Sequence, residues 1–119
     1  MDVHRPYREA NSDIVECNSF GCTSYKLAHY GLEKRAFELS RAAAAIAREV
    51  AGDTQYVLGS AGPTGTFMEP YGDETEEGIY AAYKEQMTGF EAGGADAVVV
   101  ETMTAVEETA VAVRAAKEN

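Results

Sequence analysis

Basic residues are scarce in this chain compared with acidic ones. Ten lysines and arginines stand against twenty aspartates and glutamates, which leaves a net charge of −10. Nucleic acids and anionic membranes both require clustered lysine and arginine, so this balance argues against either as a partner. The acidic residues fall mostly in stretches of helical pattern, where they keep helix faces solvated.

Cysteine and long apolar runs are also scarce. The two cysteines, Cys17 and Cys22, do not make a disulfide framework, and the longest apolar stretches are far too short to span a bilayer. The first residues contain no apolar region typical of a signal peptide, so we expect none. The reducing cytoplasm is the default compartment for such a chain.

The composition is that of a soluble globular protein of at most one domain. The chain has 119 residues, of which 45% are hydrophobic and 25% charged. A disordered chain would be less apolar.

The pattern of apolar residues predicts alternating strands and helices. After a helix end around residues 7–10, strands start near residues 13, 56 and 97, and helices are predicted over about 24–30, 32–51, 75–92 and 104–117. Because βαβ units join parallel strands by right-handed crossovers, the fold class is α/β with a parallel sheet. Two architectures fit: an open doubly wound sheet and an arc of a (β/α)₈ barrel.

The spacing of apolar residues predicts the buried faces of the helices, and the spacing of capping residues predicts where the helices start. The faces predicted to be buried are Leu39, Ala43, Ile46 and Val50 in one helix, and Ile79, Tyr83, Met87 and Phe90 in the next. Asp73 with Glu76 has the spacing of a capping box, with Thr75 as the competing cap, and Thr104 with Glu107 forms a second box.

Each predicted strand ends in small and polar residues. The three segments read DIVECNSFG (13–21), YVLGSAGPTG (56–65) and AVVVETMT (97–104). The apolar runs predict strands buried on both faces. Ligands of such folds bind beyond the carboxyl ends of the strands, so these ends are the candidate site.

Glu101 is the first candidate residue. A carboxylate that closes a buried strand can pair with a substrate ammonium group or act as a base. A structural alternative stays open, in which Glu101 hydrogen-bonds a neighbouring loop or a helix start.

The loop Gly59–Gly65 is the second candidate. It lacks the lysine of a nucleotide-binding P-loop, and its glycines do not match the dinucleotide fingerprint. Its small residues permit close approach of a ligand to the backbone, or they serve only the geometry of a tight turn.

A metal site made of this chain's own residues is not expected. Cys17 and Cys22 lie five positions apart without a companion ligand nearby in sequence, and His4 and His29 fall in helical contexts. We predict buried or partly buried free thiols instead.

Four segments together resemble the homocysteine S-methyltransferase family. They read ANSDIVECNSFG (10–21), KLAHYGLE (26–33), GSAGPTG (59–65) and VETMT (100–104), and they occur in the family's order over nearly the whole chain. The resemblance implies a (β/α)₈ TIM barrel, of which residues 1–119 are a partial domain containing about strands 2–4. The first strand and the C-terminal half would be missing.

The resemblance also implies a chemistry. Members of the family transfer a methyl group to the thiol of homocysteine, which zinc binds as the nucleophilic thiolate. Glu101 would hold the substrate's ammonium group, and the turn of Asn18, Ser19 and Phe20 would seat its carboxylate. Ser60, Gly62 and Pro63 would shape the floor of the site.

Departures from the family pattern limit what carries over. The family's zinc thiolates come from later strand ends, so the zinc ligands are expected outside this chain, and neither Cys17 nor Cys22 inherits that role. Ser19 stands where the family has Thr, and Ala61 replaces a larger apolar residue, which leaves the substrate open.

Other functions remain open. One is a corrinoid-linked methyltransferase component with another substrate, with cobalamin held by a partner domain. Another is a non-catalytic fragment. The isolated chain is expected to be inactive, and to be aggregation-prone, bound to a partner or only partly ordered, because a barrel arc has two open edges.

Overall fold

A computed structural model describes all of residues 1–119 as a three-stranded parallel sheet with helices packed on one face. The elements in chain order are α1 (Arg5–Glu9), β1 (Ile14–Glu16), α2 (Ser24–Ala28), a 3₁₀ turn (Glu33–Arg35), α3 (Ala36–Ala51), β2 (Tyr56–Ala61), α4 (Glu76–Ala92), β3 (Ala97–Val100) and α5 (Val106–Lys117). The predicted alternation of strands and helices is confirmed.

The strands lie in the order β1–β2–β3, and both pairs are parallel. Glu16 pairs with Leu58 across the first ladder, and Ser60 pairs with Val99 across the second. Since side chains alternate between the two faces of a strand, this register decides which residues share a face.

One face of the sheet carries the hydrophobic core. Val15, Val57 and Ala61 project from the strands toward the helices and are buried. Helix α4 adds Ile79, Tyr83, Met87 and Phe90, and α5 adds Val111, Ala112 and Ala115. The stripe predicted for α4 is therefore confirmed.

The other face of the sheet is largely uncovered, so the prediction that all three strands are buried on both faces is wrong. Ile14 is 46% exposed and Tyr56 66% exposed, and every residue of β3 remains at least partly exposed. The three long helices α3, α4 and α5 all contribute to the core on the opposite face.

The predicted face of α3 is mostly wrong. Val50 is buried, but Ile46 is 39% exposed and Leu39 only half-buried. The buried residues are instead small: Ala36, Ser40, Ala44, Ala47 and Ala51 accompany Val50. A Cβ at Gly93, directly after α4, would lie 2.4 Å from the carbonyl oxygen of Arg41, so the two helices approach closely and only small side chains fit between them.

The helix starts show which caps form. Thr75 caps α4, since its hydroxyl accepts a hydrogen bond from the Gly78 N–H at 3.1 Å, so the competing cap prevails over Asp73. The second predicted box is wrong, because α5 begins after Ala105 and receives no side-chain cap from Thr104. The long helix predicted over about 32–51 starts later than predicted, at Ala36, with a 3₁₀ turn separating it from α2, and its end at Ala51 agrees with the prediction.

No helix of the structure combines the length and apolar character needed to cross a membrane.

Candidate functional site

The carboxyl ends of the three strands meet at one edge of the sheet. Glu16 is the last residue of β1, and Glu101 follows β3, where its N–H donates to the Ala61 carbonyl at 3.0 Å. The register places Glu16, Ser60 and Glu101 on the same face of the sheet, the one that the helices leave uncovered. Three polar side chains from three strand ends thus share one small area.

Ser60 anchors the Glu101 carboxylate. The Ser60 hydroxyl is buried and donates to Oε1 of Glu101 at 2.6 Å, and the Thr102 hydroxyl lies 3.4 Å from Oε2. Donation from Ser60 is the largest cause of the lowered pKa of Glu101, which favours its ionised form. Glu101 is half-buried, so this carboxylate remains accessible to a ligand.

Glu16 is a site residue that the sequence analysis missed. The nearby carboxyl group of Glu101 raises the pKa of Glu16, with loss of hydration as the second cause, and the Glu16 side chain remains exposed. The signal was present in the sequence: Glu16 closes the first strand as Glu101 closes the third. Only the register shows that the two side chains lie on the same face.

No basic side chain neutralises this pair of carboxyl groups. The four ion pairs of the chain are Arg5–Asp2, Arg35–Glu38, Arg48–Asp96 and Arg114–Glu76, and none includes Glu16 or Glu101. A cationic group of a ligand is therefore the natural counter-charge.

Ser19 links the turn after β1 to the central strand by hydrogen bonds. Its buried hydroxyl donates to the Ser60 carbonyl at 2.8 Å and accepts from the Ser60 N–H at 3.2 Å. Gln86 of α4 donates to the Ser19 carbonyl at 3.1 Å. The Ser19 side chain thus serves the structure of the site, while the backbone N–H groups of Asn18 and Phe20 make no hydrogen bond within the chain.

Phe20 and Gly62 form a close contact at the same edge. The Gly62 N–H donates to the Phe20 carbonyl at 3.2 Å, and a Cβ at Gly62 would lie 2.4 Å from the Phe20 ring. A side chain at position 62 would therefore displace the Phe20 ring, which is 39% exposed. Pro63 follows and is half-buried. All seven residues expected at the site therefore lie along this edge, from the turn at 18–20 to the loop at 60–63 and Glu101.

A second buried network, absent from the sequence analysis, holds the loop after β2. Glu108 of α5 accepts hydrogen bonds from both the N–H and the hydroxyl of Thr64, each at 2.7 Å. The Tyr83 hydroxyl lies 2.9 Å from this carboxylate and 2.9 Å from the Gly62 carbonyl, and burial raises the pKa of Tyr83. The network ties the loop to α4 and α5 and so sets the position of Gly62.

The donor groups of this chain do not fit a zinc ion. Nowhere do three or more His, Cys, Asp or Glu side chains lie together so that they could hold a metal. Burial raises the pKa of Cys17 to about 11 and also raises that of Cys22, which disfavours the thiolates that zinc requires. Both cysteines are unpaired, Cys17 buried and Cys22 half-buried, which confirms the predicted free thiols.

A family sequence model and individual known proteins both match this chain and indicate the same family. The sequence model of the family described as homocysteine S-methyltransferase matches residues 1–119. The methionine synthases of Mycobacterium tuberculosis and Mycobacterium leprae are 43% and 42% identical to this chain over 106 residues, which cover 84% of it. The aligned region is only 9% of the length of each relative. Since the family match extends over the whole chain, the protein belongs to the homocysteine S-methyltransferase family.

Proposed function

We propose that these residues bind the amino-acid end of homocysteine within a (β/α)₈ methyltransferase barrel, of which they form about strands 2–4. The observation that carries the proposal is the Ser60–Glu101 hydrogen bond at the edge where the turn of residues 18–20 also lies. A parallel sheet with helices on one face only supports a barrel arc over a doubly wound sheet, whose helices cover both faces.

The charges of the site support an amino acid as the ligand. The ammonium group of homocysteine pairs with Glu101, beside Glu16, where the chain supplies no basic side chain of its own. The substrate carboxylate must lie away from these acids, and the unpaired backbone N–H groups of Asn18 and Phe20 offer it donors. The substrate thiol then points away from the anchored end, toward the methyl donor.

We assign binding and orientation to this chain and place the zinc ligands outside residues 1–119. The donor groups present do not fit the metal, as described above. The methyl donor, with cobalamin on a partner domain as one candidate, is likewise placed outside these residues. The two free thiols favour the reducing cytoplasm as the compartment.

The experiment that tests this proposal is Glu101→Gln in the complete polypeptide that carries the chain. Loss of the charged partner is expected to weaken homocysteine binding by about 10-fold to 100-fold, the value of one charge-assisted hydrogen bond. Calorimetry gives the affinity, and metal analysis is expected to show unchanged zinc content. Glu49→Gln, at an exposed position of α3, is the matched control. Unaltered affinity in Glu101→Gln would remove Glu101 from the site.

The residues of this chain offer no cluster of side chains that could hold zinc. This supports a second proposal, that the 119-residue chain alone is catalytically inactive. Methyl transfer to homocysteine is expected only from the complete polypeptide. An assay with methylcobalamin and with other methyl acceptors separates homocysteine from a different substrate. Stoichiometric zinc and turnover on the isolated chain would overturn this proposal.

A further inference from the structure

We propose that Gln86 of α4 is a positioning residue, which orients the Phe20 N–H for the carboxylate of the substrate. The inference rests on the proposed function, because it takes the turn of residues 18–20 as the seat of that carboxylate. It adds a residue of the helix layer to a site built from strand ends and loops.

Gln86 contacts the turn from the helix layer. Its side chain is completely buried, and its Nε2 donates to the Ser19 carbonyl at 3.1 Å. The Cys22 N–H donates to the same carbonyl at 3.0 Å, but this bond lies within the turn and moves with it. Of the two donors, only Gln86 comes from outside the turn, so it fixes the carbonyl relative to α4.

The direction of the Ser19 carbonyl determines the direction of the next N–H. The peptide bond between Ser19 and Phe20 is trans. In a trans peptide the carbonyl and the N–H lie in one plane and point in opposite directions. Because Gln86 holds the carbonyl toward α4, the Phe20 N–H points away from the helices.

The Phe20 N–H is a free donor beside a well-paired residue. Ser19 is buried, and its N–H donates to the Cys17 carbonyl at 3.0 Å, whereas the N–H of the exposed Phe20 makes no hydrogen bond within the chain. A backbone donor whose peptide plane is held in this way is oriented before an anion arrives. The substrate carboxylate is the anion that the proposed function supplies.

The Gln86 amide is only half satisfied, which argues against a role in packing alone. Its Oε1 is buried and has no hydrogen-bond partner. A buried acceptor without a partner costs stability, so an apolar side chain of the same length would serve packing better. What the amide adds is its donor, and that donor holds the Ser19 carbonyl.

The test compares ligands that differ by one charged group, with Gln86→Met in the complete polypeptide. Homocysteine has both groups, 3-aminopropane-1-thiol lacks the carboxylate, and 4-sulfanylbutanoate lacks the ammonium group. Gln86→Met is expected to weaken binding of homocysteine and 4-sulfanylbutanoate by about tenfold, the value of one hydrogen bond to a charged group. Binding of 3-aminopropane-1-thiol is expected to change by less than about twofold, because it has no carboxylate. Calorimetry gives the affinities.

The ratio of the affinities for homocysteine and 3-aminopropane-1-thiol separates positioning from general damage, which would weaken both ligands alike. Met87→Ala, beside Gln86 in sequence and buried in the core, is the matched control. It is expected to lower the melting temperature and to keep the wild-type ratio. Gln86→Leu repeats the test with a second apolar side chain. A wild-type ratio in the Gln86 variants would overturn the proposal.

A second measurement needs no variant. Wild type is expected to bind homocysteine at least about tenfold more tightly than 3-aminopropane-1-thiol. Equal affinities would show that the turn does not seat the carboxylate, which leaves Gln86 nothing to position.

The proposed function and this inference fail in different ways. Glu101→Gln is expected to weaken binding of the two ligands that have an ammonium group and not that of 4-sulfanylbutanoate, a pattern distinct from that of Gln86→Met. If Glu101→Gln acts in this way and Gln86→Met is not selective, only the positioning role fails. Absence of homocysteine binding by wild type overturns both.

Discussion

Ser19 shows how a single hydroxyl holds the candidate site together. It both donates to and accepts from the backbone of Ser60, and it is almost completely buried. These two hydrogen bonds join the turn after β1 to β2, and Ser60 in turn orients Glu101. A residue expected to contact the substrate therefore contributes through the position of the backbone beside it.

Ser19→Ala is expected to lower the free energy of unfolding by about 1–3 kcal/mol, because the Ser60 N–H and carbonyl lose a buried partner. Urea denaturation at dilute protein measures this as a lower midpoint. Ser24→Ala is the matched control, since its half-buried hydroxyl makes no hydrogen bond, and a change within about 0.5 kcal/mol is expected. Equal effects of the two substitutions would contradict the structural role of Ser19.

At the scale of elements, the helices differ in how their N-termini are capped and in which residues their buried faces carry. Helix α4 has a threonine cap, whereas α5 follows Ala105 and has no side-chain cap, although both starts carry capping signals in the sequence. The buried face of α3 depends on its neighbour. Gly89 of α4 and Gly93 directly after it allow the α3 backbone to approach so closely that alanines, not Leu39 and Ile46, fill the contact. Packing between elements thus overrides local preference.

The two helix starts give a paired prediction. Thr75→Ala is expected to destabilise the chain by about 1 kcal/mol, because the Gly78 N–H loses its acceptor. Thr104→Ala, at the start that fits the same sequence rule, is expected to change stability by less than about 0.5 kcal/mol. Thermal melting followed by circular dichroism measures both. A larger loss for Thr104→Ala than for Thr75→Ala would show that the caps are misassigned.

The sheet has one face that helices cover and one face that is largely exposed. Helices cover the side of the sheet with the core, while Ile14, Tyr56, Ala97 and Val99 lie exposed or half-buried on the other. Both β1 and β3 also have an edge without a partner strand. Exposed apolar residues and open strand edges favour association with other chains.

The 119-residue chain is accordingly expected to self-associate in a concentration-dependent way. Tyr56→Lys, on the uncovered face, is expected to shift size-exclusion profiles toward the monomer. Tyr71→Lys, which alters a tyrosine that is 87% exposed but lies in a loop away from the sheet, is expected to leave them unchanged. A cooperative melt of a purely monomeric wild-type chain would contradict the prediction.

The sequence by itself determined the order of elements, the parallel direction of the strands and the edge where the candidate residues gather. It could do so because these follow from local patterns: the apolar runs before residues 17, 62 and 101, and the helical spacing from Ile79 to Phe90. Four distant segments matching one family in order also identified the family, which the comparisons confirm.

The tertiary structure alone decided which faces are covered and which strand-end side chains share a face. The buried face of α3 depends on how near α4 lies, and the placement of Glu16, Ser60 and Glu101 on one face depends on the register of two ladders. Neither is encoded in the spacing of one segment, because close packing and the mutual influence of ionisable groups arise only when separate segments come together.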